Sequence, residues 1–272
     1  MFTDPSGEKM KWWGWMLLGM GLLDPVTATT TVATAGATVA GIAVTAGVTA
    51  YTTTALNSPI LAIVGACIPG VGADKMVRNS FRLANGLFAT DKNRNFWART
   101  WQFTSRFSWE ALQTTAGVFY TQGRNIGGQV DRVDYFGGAT FATKENSRNR
   151  QGVSLGNYIN IDIWDEITSD FTSQVLSDPL FMHEYGHTFD SRIFGISYLF
   201  AVGIPSLVSA NKNKLIKEWN GVEVENPLWL YTHDVFWTET RANKHAAKYF
   251  KKYYGINWEA LYPDYPLFNP FK

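Results

Sequence analysis

Apolar positions are almost continuous near the start of the chain and recur at helical spacing further on. They alternate over Gly123 to Asp162, then return to helical spacing towards the end. Trp12 to Leu23 is an apolar run too short to cross a bilayer. From Pro25 to Ala73 no residue is charged, and Thr27 to Ala55 is built from Ala, Thr, Val and Gly. Asn57-Ser58-Pro59 is turn chemistry, and Ile60 to Val71 is a second apolar run. Two uncharged segments about a turn predict a helical hairpin over 25–73, whose small residues let its helices approach closely. Its threonines make it weakly hydrophobic for a span, so a buried helical pair or a Thr/Ala-rich linker is favoured over membrane contact.

Residues 74–122 turn basic and aromatic. Phe96, Trp97, Trp101, Phe103, Phe107 and Trp109 interleave with Arg94, Arg99 and Arg106. A core-facing helix with a solvated side is the preferred expectation over a basic helix on a membrane surface. Val130 to Tyr135, GGATFAT and Gly152 to Asp162 then alternate as strands, joined by the polar turn KENSRNRQG. Leu180 to Arg192 predicts a helix. Ser177-Asp178-Pro179 supplies a cap and a first-turn proline, and Gly195 a stop. Ile196 to Ala210 is apolar but interrupted at Gly203 and Pro205, which predicts a buried, kinked or split helix. Tyr231 to Tyr254 predicts a helix with an alanine face ended by Gly255, and Trp258 to Lys272 an extended strap.

Composition narrows the function classes. With 24 basic and 23 acidic residues, no bulk field favours nucleic acid. The aromatic share of 15% fits a packed chain and argues against disorder. The single cysteine, Cys67, sits in ILAIVGAC far from every histidine, so neither an internal disulfide nor a catalytic thiol is expected. The first fifteen residues lack a basic stretch leading into an apolar core and cleavage site, so no signal peptide is read there.

The chemistry concentrates in His183-Glu184-Tyr185-Gly186-His187. On a helix, residues four apart share a face, so His183 and His187 offer two imidazoles to one ion, with Glu184 beside them to accept a proton from water. Gly186 costs roughly 1 kcal/mol of helix propensity relative to alanine, which predicts another backbone or a substrate close by. A catalytic Zn2+ needs a third protein ligand. Glu239 is the best candidate. Asn243 shares its helix face and is placed to hydrogen-bond behind a ligand histidine, while Ala242 and Ala246 allow close approach. His233 is the rival third ligand or an oxyanion donor, alongside Tyr231, or a cap with Asp234. Asp190 lies on a similar face and is expected to support the ligands or to face solvent. His245 is expected on the solvated side with no role. The strand over Gly152 to Asp162, with Gly152, Val153, Ser154 and Leu155, is the candidate to pair with an extended substrate, the equal alternative being an ordinary packed strand.

The Glu-x-x-x-Asn spacing resembles the gluzincin group of zinc peptidases. MFTDPSGEKMKWWGW resembles the junction that ends the core of Rhs-repeat proteins. YFGGATF, GVSLGNYIN, HEYGH with Ser191, YLFAVGIPSLVSA, and HDVFWTETRAN running into AAKYF resemble a C-terminal region of Bacteroidetes Rhs-associated proteins. The chain departs from that pattern at Thr188-Phe189-Asp190, where the resemblance implies a tyrosine and then Leu-Gln. The expected chain is α+β, with the hairpin over 25–73 and a helical segment over 74–122 read from the residues; the resemblance implies a junction over 1–24 and a zincin-like metal domain over 123–272. It further implies a secreted or cell-surface metallopeptidase effector, with the Rhs shell, a peptide or protein substrate and an immunity protein as partners. A membrane-inserting toxin acting through 25–73 is the alternative.

Overall fold

The computed structural model describes residues 73–209 and 233–268. The expected junction (1–24), the hairpin (25–73, save its last residue), Tyr231 and the side chain of Asp234 lie outside the described residues. The chain divides into two compact units, Met1–Phe171 and Thr172–Lys272. The expected boundary at Gly123 is not where it divides, because Gly123 lies inside a helix that packs on the sheet.

In the first unit, helices α1 (Ala73–Asn85), α2 (Phe96–Arg106) and α3 (Ala111–Ile126) precede a four-stranded mixed sheet. Its strands are β1 (Arg132–Phe136), β2 (Ala139–Lys144), β3 (Gln151–Leu155) and β4 (Tyr158–Asp162), in the order β1-β2-β4-β3. β2 and β4 run parallel, with Phe141 opposite Ile159 and Thr143 opposite Ile161. The two hairpins close through two-residue loops. Gly137 and Gly138 both hold positive φ, which suits the right-handed twist of the strands they join. Gly156, at φ 62, begins the other. That turn corrects the expectation of one strand over Gly152 to Asp162: the run is a hairpin, β3 and β4, and β3 is the sheet edge. Leu83, Leu87, Val118, Val133, Ala142 and Tyr158 form a core between helices and sheet. The Tyr158 hydroxyl donates to the Leu83 carbonyl at 2.7 Å, so this buried ring keeps a polar partner.

Helix α2 reverses the expected arrangement of its faces. Its buried residues are Gln102, Ser105 and Arg106, and its aromatic residues face outward. The inward polar groups are matched. Gln102 donates to the Gly137 carbonyl at 2.9 Å and accepts from the Asp91 amide at 2.8 Å. Arg106 donates to the carbonyls of Leu87, Gly86 and Gly138.

In the second unit, α5 (Pro179–Phe194) and α7 (Trp237–Tyr254) pack face to face. A short α4 (Phe171–Ser177) leads into α5, and α8 (Trp258–Leu261) follows α7. Between them α6 (Leu199–Ser209) opens with a π-helical turn over Leu199–Gly203 and bends 120° away from α5. The break expected at Gly203 and Pro205 falls instead before Leu199: the helix runs on through both residues, changing there from π to α, and only one side is buried, with Leu199 and Val202 inward and Phe200 and Val208 exposed. No single helix among the described residues is long and apolar enough to cross a membrane.

Candidate metal centre

Helix α5 begins where the sequence places its cap. Asp178 accepts from the Leu180 amide at 2.9 Å, and Pro179 occupies the first turn. Every residue from Leu180 to Thr188 is buried. His183 and His187 stand one turn apart, their rings 4.9 Å between centroids and nearly perpendicular. Helix α7 crosses at Gly186, where an added Cβ would sit 2.1 Å from the Ala242 carbonyl oxygen. The expectation of a nearby backbone holds, and it explains the glycine: only a residue without Cβ lets the helices approach this closely.

That crossing brings Glu239, in the first turn of α7, against both histidines. One carboxylate oxygen, Oε2, lies 3.2 Å from His183 Nε2 and 3.1 Å from His187 Nε2. The other, Oε1, accepts from Ser206 Oγ at 2.6 Å and from Thr238 Oγ1 at 2.7 Å. The two hydroxyls therefore fix which oxygen faces the histidines. His183, His187 and Glu239 form a buried group whose ligand atoms lie within 4.8 Å of one another, a site that can hold a metal ion.

The groups behind the ligands fit that use. Asn243 Oδ1 lies 2.6 Å from His183 Nδ1. An amide oxygen only accepts, so this contact places a ring hydrogen on Nδ1 and makes Nε2 the atom that the ring offers to an ion. The Asn243 amide nitrogen donates to the Pro266 carbonyl at 2.9 Å, and the Tyr265 ring lies 5.6 Å from that of His183. Tyr265 and Pro266 of the expected strap thus pack behind the site, while its first residues, Trp258–Leu261, are helical rather than extended. Asn243→Ala is expected to weaken metal binding about 10- to 100-fold, as loss of an orienting partner does elsewhere. Competition against a chromophoric chelator measures this, and unchanged affinity would show that Asn243 does not orient His183.

Electrostatics bind the cluster together. Burial opposes charge on His187, but Glu239 outweighs it, with smaller help from Glu184 and Asp190, and the imidazole is pushed up to about 9. Burial likewise opposes charge on Glu239, yet His187 and His183 hold its carboxyl well below the usual range. Without metal the His187–Glu239 pair keeps a proton that an incoming ion must displace, so metal binding strengthens as pH rises.

The other candidates divide. His233 stands in a 3-10 turn (His233–Val235) ahead of α7, so it is not that helix's cap. Its Nε2 is 3.8 Å from Glu239 Oε2, and its Nδ1 is 2.6 Å from Ser209 Oγ. Asp190 does not stand behind a ligand histidine through any hydrogen bond. It is fully buried against Arg241 Nε at 2.5 Å and His245 Nε2 at 3.3 Å, tying α5 to α7. His245 is therefore not on the solvated side; it stacks on Phe189 at 5.6 Å between centroids. Glu184 is 5% exposed. The cluster is assembled from the second unit alone, whereas Gly152, Val153, Ser154 and Leu155 belong to the first as residues of β3. Sequence reading missed Ser206, Ser209, Thr238 and Tyr265. Ser206 and Ser209 are three apart in an otherwise apolar helical run, a spacing that puts two hydroxyls on one face. No protein-family model, curated protein or solved structure matches this chain.

Proposed function

We propose that the chain is a zinc-dependent hydrolase of gluzincin-like form that cleaves peptide bonds as the effector end of an Rhs-type protein. One observation carries the enzymatic part: two imidazole nitrogens converge on a single carboxylate oxygen, with Asn243 orienting the first ring. Two nitrogens and one oxygen from protein leave a position open, the pattern of catalytic rather than structural zinc. When bound, zinc supplies Lewis acidity to water and to a carbonyl.

The chain's own residues supply the rest. Glu184 accepts the proton of the attacking water and returns it to the leaving amine. His233, held by Ser209, presents Nε2 towards the cluster. The Ser209 hydroxyl gives its one hydrogen to the Ser206 carbonyl at 2.8 Å, so it accepts from His233 Nδ1 and holds the ring in place. Ser206 and Thr238 keep Oε1 of Glu239 occupied, so the carboxylate engages through Oε2. The carrier role rests on the resemblance at Met1 to Trp15 and from Val130 onward.

Removal of metal tests the reading. Chelation is expected to abolish hydrolysis of a random peptide library, and added Zn2+ to restore it. Elemental analysis is expected to find zinc in the purified chain and to lose it in His187→Ala and Glu239→Ala. Hydrolysis that survives chelation, or a chain that takes up no zinc, overturns it.

A further inference from the structure

Helix α2 is built inside out. At about 100° per residue, Phe103, Phe96, Thr100, Thr104, Trp97 and Trp101 share one arc of about 160°. That arc faces solvent: Phe96 is 70% exposed, Trp97 76% and Trp101 53%. It carries no charge. Thr100 donates to the Phe96 carbonyl at 3.0 Å and Thr104 to the Thr100 carbonyl at 2.8 Å. Both hydroxyls are thus spent on the helix's own backbone, and the outward surface is effectively apolar. Phe88, at ring distances of 6.2 Å from Phe103 and from Phe107, extends it.

The orientation is locked. Rolling α2 to bury its aromatics would expose Gln102 and Arg106 and break their bonds to the carbonyls of Gly137, Leu87, Gly86 and Gly138. Each buried polar group stripped of its partner costs on the scale of a lost hydrogen bond or more, so the aromatic face stays outward. A contiguous apolar face of this kind marks a surface that is covered in use.

Charge indicates by what. Between Lys75 and Trp109 the sole acid is Asp91, which is buried and paired with Arg94 at 3.1 Å. Arg78, Arg82, Lys92 and Arg99 are exposed, and helical spacing sets Arg99 beside Phe103 at the border of the arc. Tryptophan and phenylalanine on one face with cations at its border is the chemistry of a helix lying in the headgroup region of an anionic bilayer.

We propose that α2 docks the first unit flat on an anionic lipid surface, its aromatic arc inserted among the headgroups. This is independent of the metal reading, and of whether 25–73 contacts lipid.

The test is flotation of the full chain with phosphatidylcholine vesicles, with and without phosphatidylglycerol. The chain is expected to float with the anionic vesicles, to be released by salt, and to show blue-shifted tryptophan emission. Trp97→Ser/Trp101→Ser is expected to lower partitioning about tenfold or more, and Arg99→Glu to lower it on anionic vesicles only. Both variants are expected to retain wild-type circular dichroism and metal content, because these side chains are already in water. No flotation of the wild-type chain overturns the proposal. So does flotation unchanged in the double variant, which would assign binding to another segment. A wild-type dimer that the double variant makes monomeric, without vesicle binding, would assign the face to a second copy instead.

Discussion

Glu184→Gln is expected to leave metal content unchanged and to lower peptide hydrolysis by about 10²- to 10⁴-fold, the range a positioned proton acceptor contributes. Each tenfold is about 1.4 kcal/mol of barrier. Glutamine keeps the size of the side chain in a position that is 5% exposed, so no cavity opens between the two histidines. What it loses is the negative charge and the ability to take a proton. Glu184 is one residue from His183 but is not among the groups whose ligand atoms converge, so metal affinity and hydrolysis respond separately. The paired measurement separates two failures. If metal and activity fall together, Glu184 acts through the site's integrity. If both stay at wild-type levels, another group is the base and the assignment is wrong. A variant that holds zinc without turnover is also the form in which to trap a bound peptide.

The parts of this site legible in the sequence obey local rules. A four-residue spacing fixes which side chains share a helix face whatever the tertiary context, so His183 with His187 and Glu239 with Asn243 pair as the pattern demands. Asp178, Pro179 and Gly195 bound α5 for equally local reasons. Gly186 was readable because a glycine in mid-helix carries a cost that only close approach explains. Where reading failed, the decisive partner was distant. Arg106 and Gln102 look like solvated positions until the loop carbonyls that receive them are in place, and then apolar-in, polar-out inverts. Gly156 looks like a tolerated strand glycine until the pairing of Leu155 with Tyr158 makes it a turn. Asp190 reads as a support for the ligands or a surface residue, and His245 as a surface residue, because nothing along the chain announces that Arg241 and Phe189 will enclose them.

Gly186→Ala is expected to be the most damaging single-methyl change in the second unit. Alanine would gain about 1 kcal/mol in helix propensity. Against that, the new Cβ would sit 2.1 Å from the Ala242 carbonyl oxygen and 2.8 Å from its carbon, and neither atom belongs to a flexible side chain. Relief requires α5 and α7 to separate, which unpacks Tyr185 from Tyr249 and Phe250. Overpacking of this kind costs about 1–3 kcal/mol and occasionally more. With backbone on both sides the upper end applies, so the clash outweighs the gain. The same separation moves Glu239 and Asn243, which flank Ala242 on α7, away from His183 and His187. Metal affinity therefore falls with stability. Gly203→Ala is the control: its Cβ would meet Leu199 Cδ2 at 3.7 Å and the Tyr198 carbonyl oxygen at 3.9 Å, both ordinary contacts, and stability is expected to be unchanged or slightly raised. Denaturant titration of both variants, with zinc affinity measured on the folded fraction, checks the pair. A Gly186→Ala chain as stable as the wild type would mean that the helices do not cross at this residue, and the reason given for Glu239 reaching the histidines would fall with it.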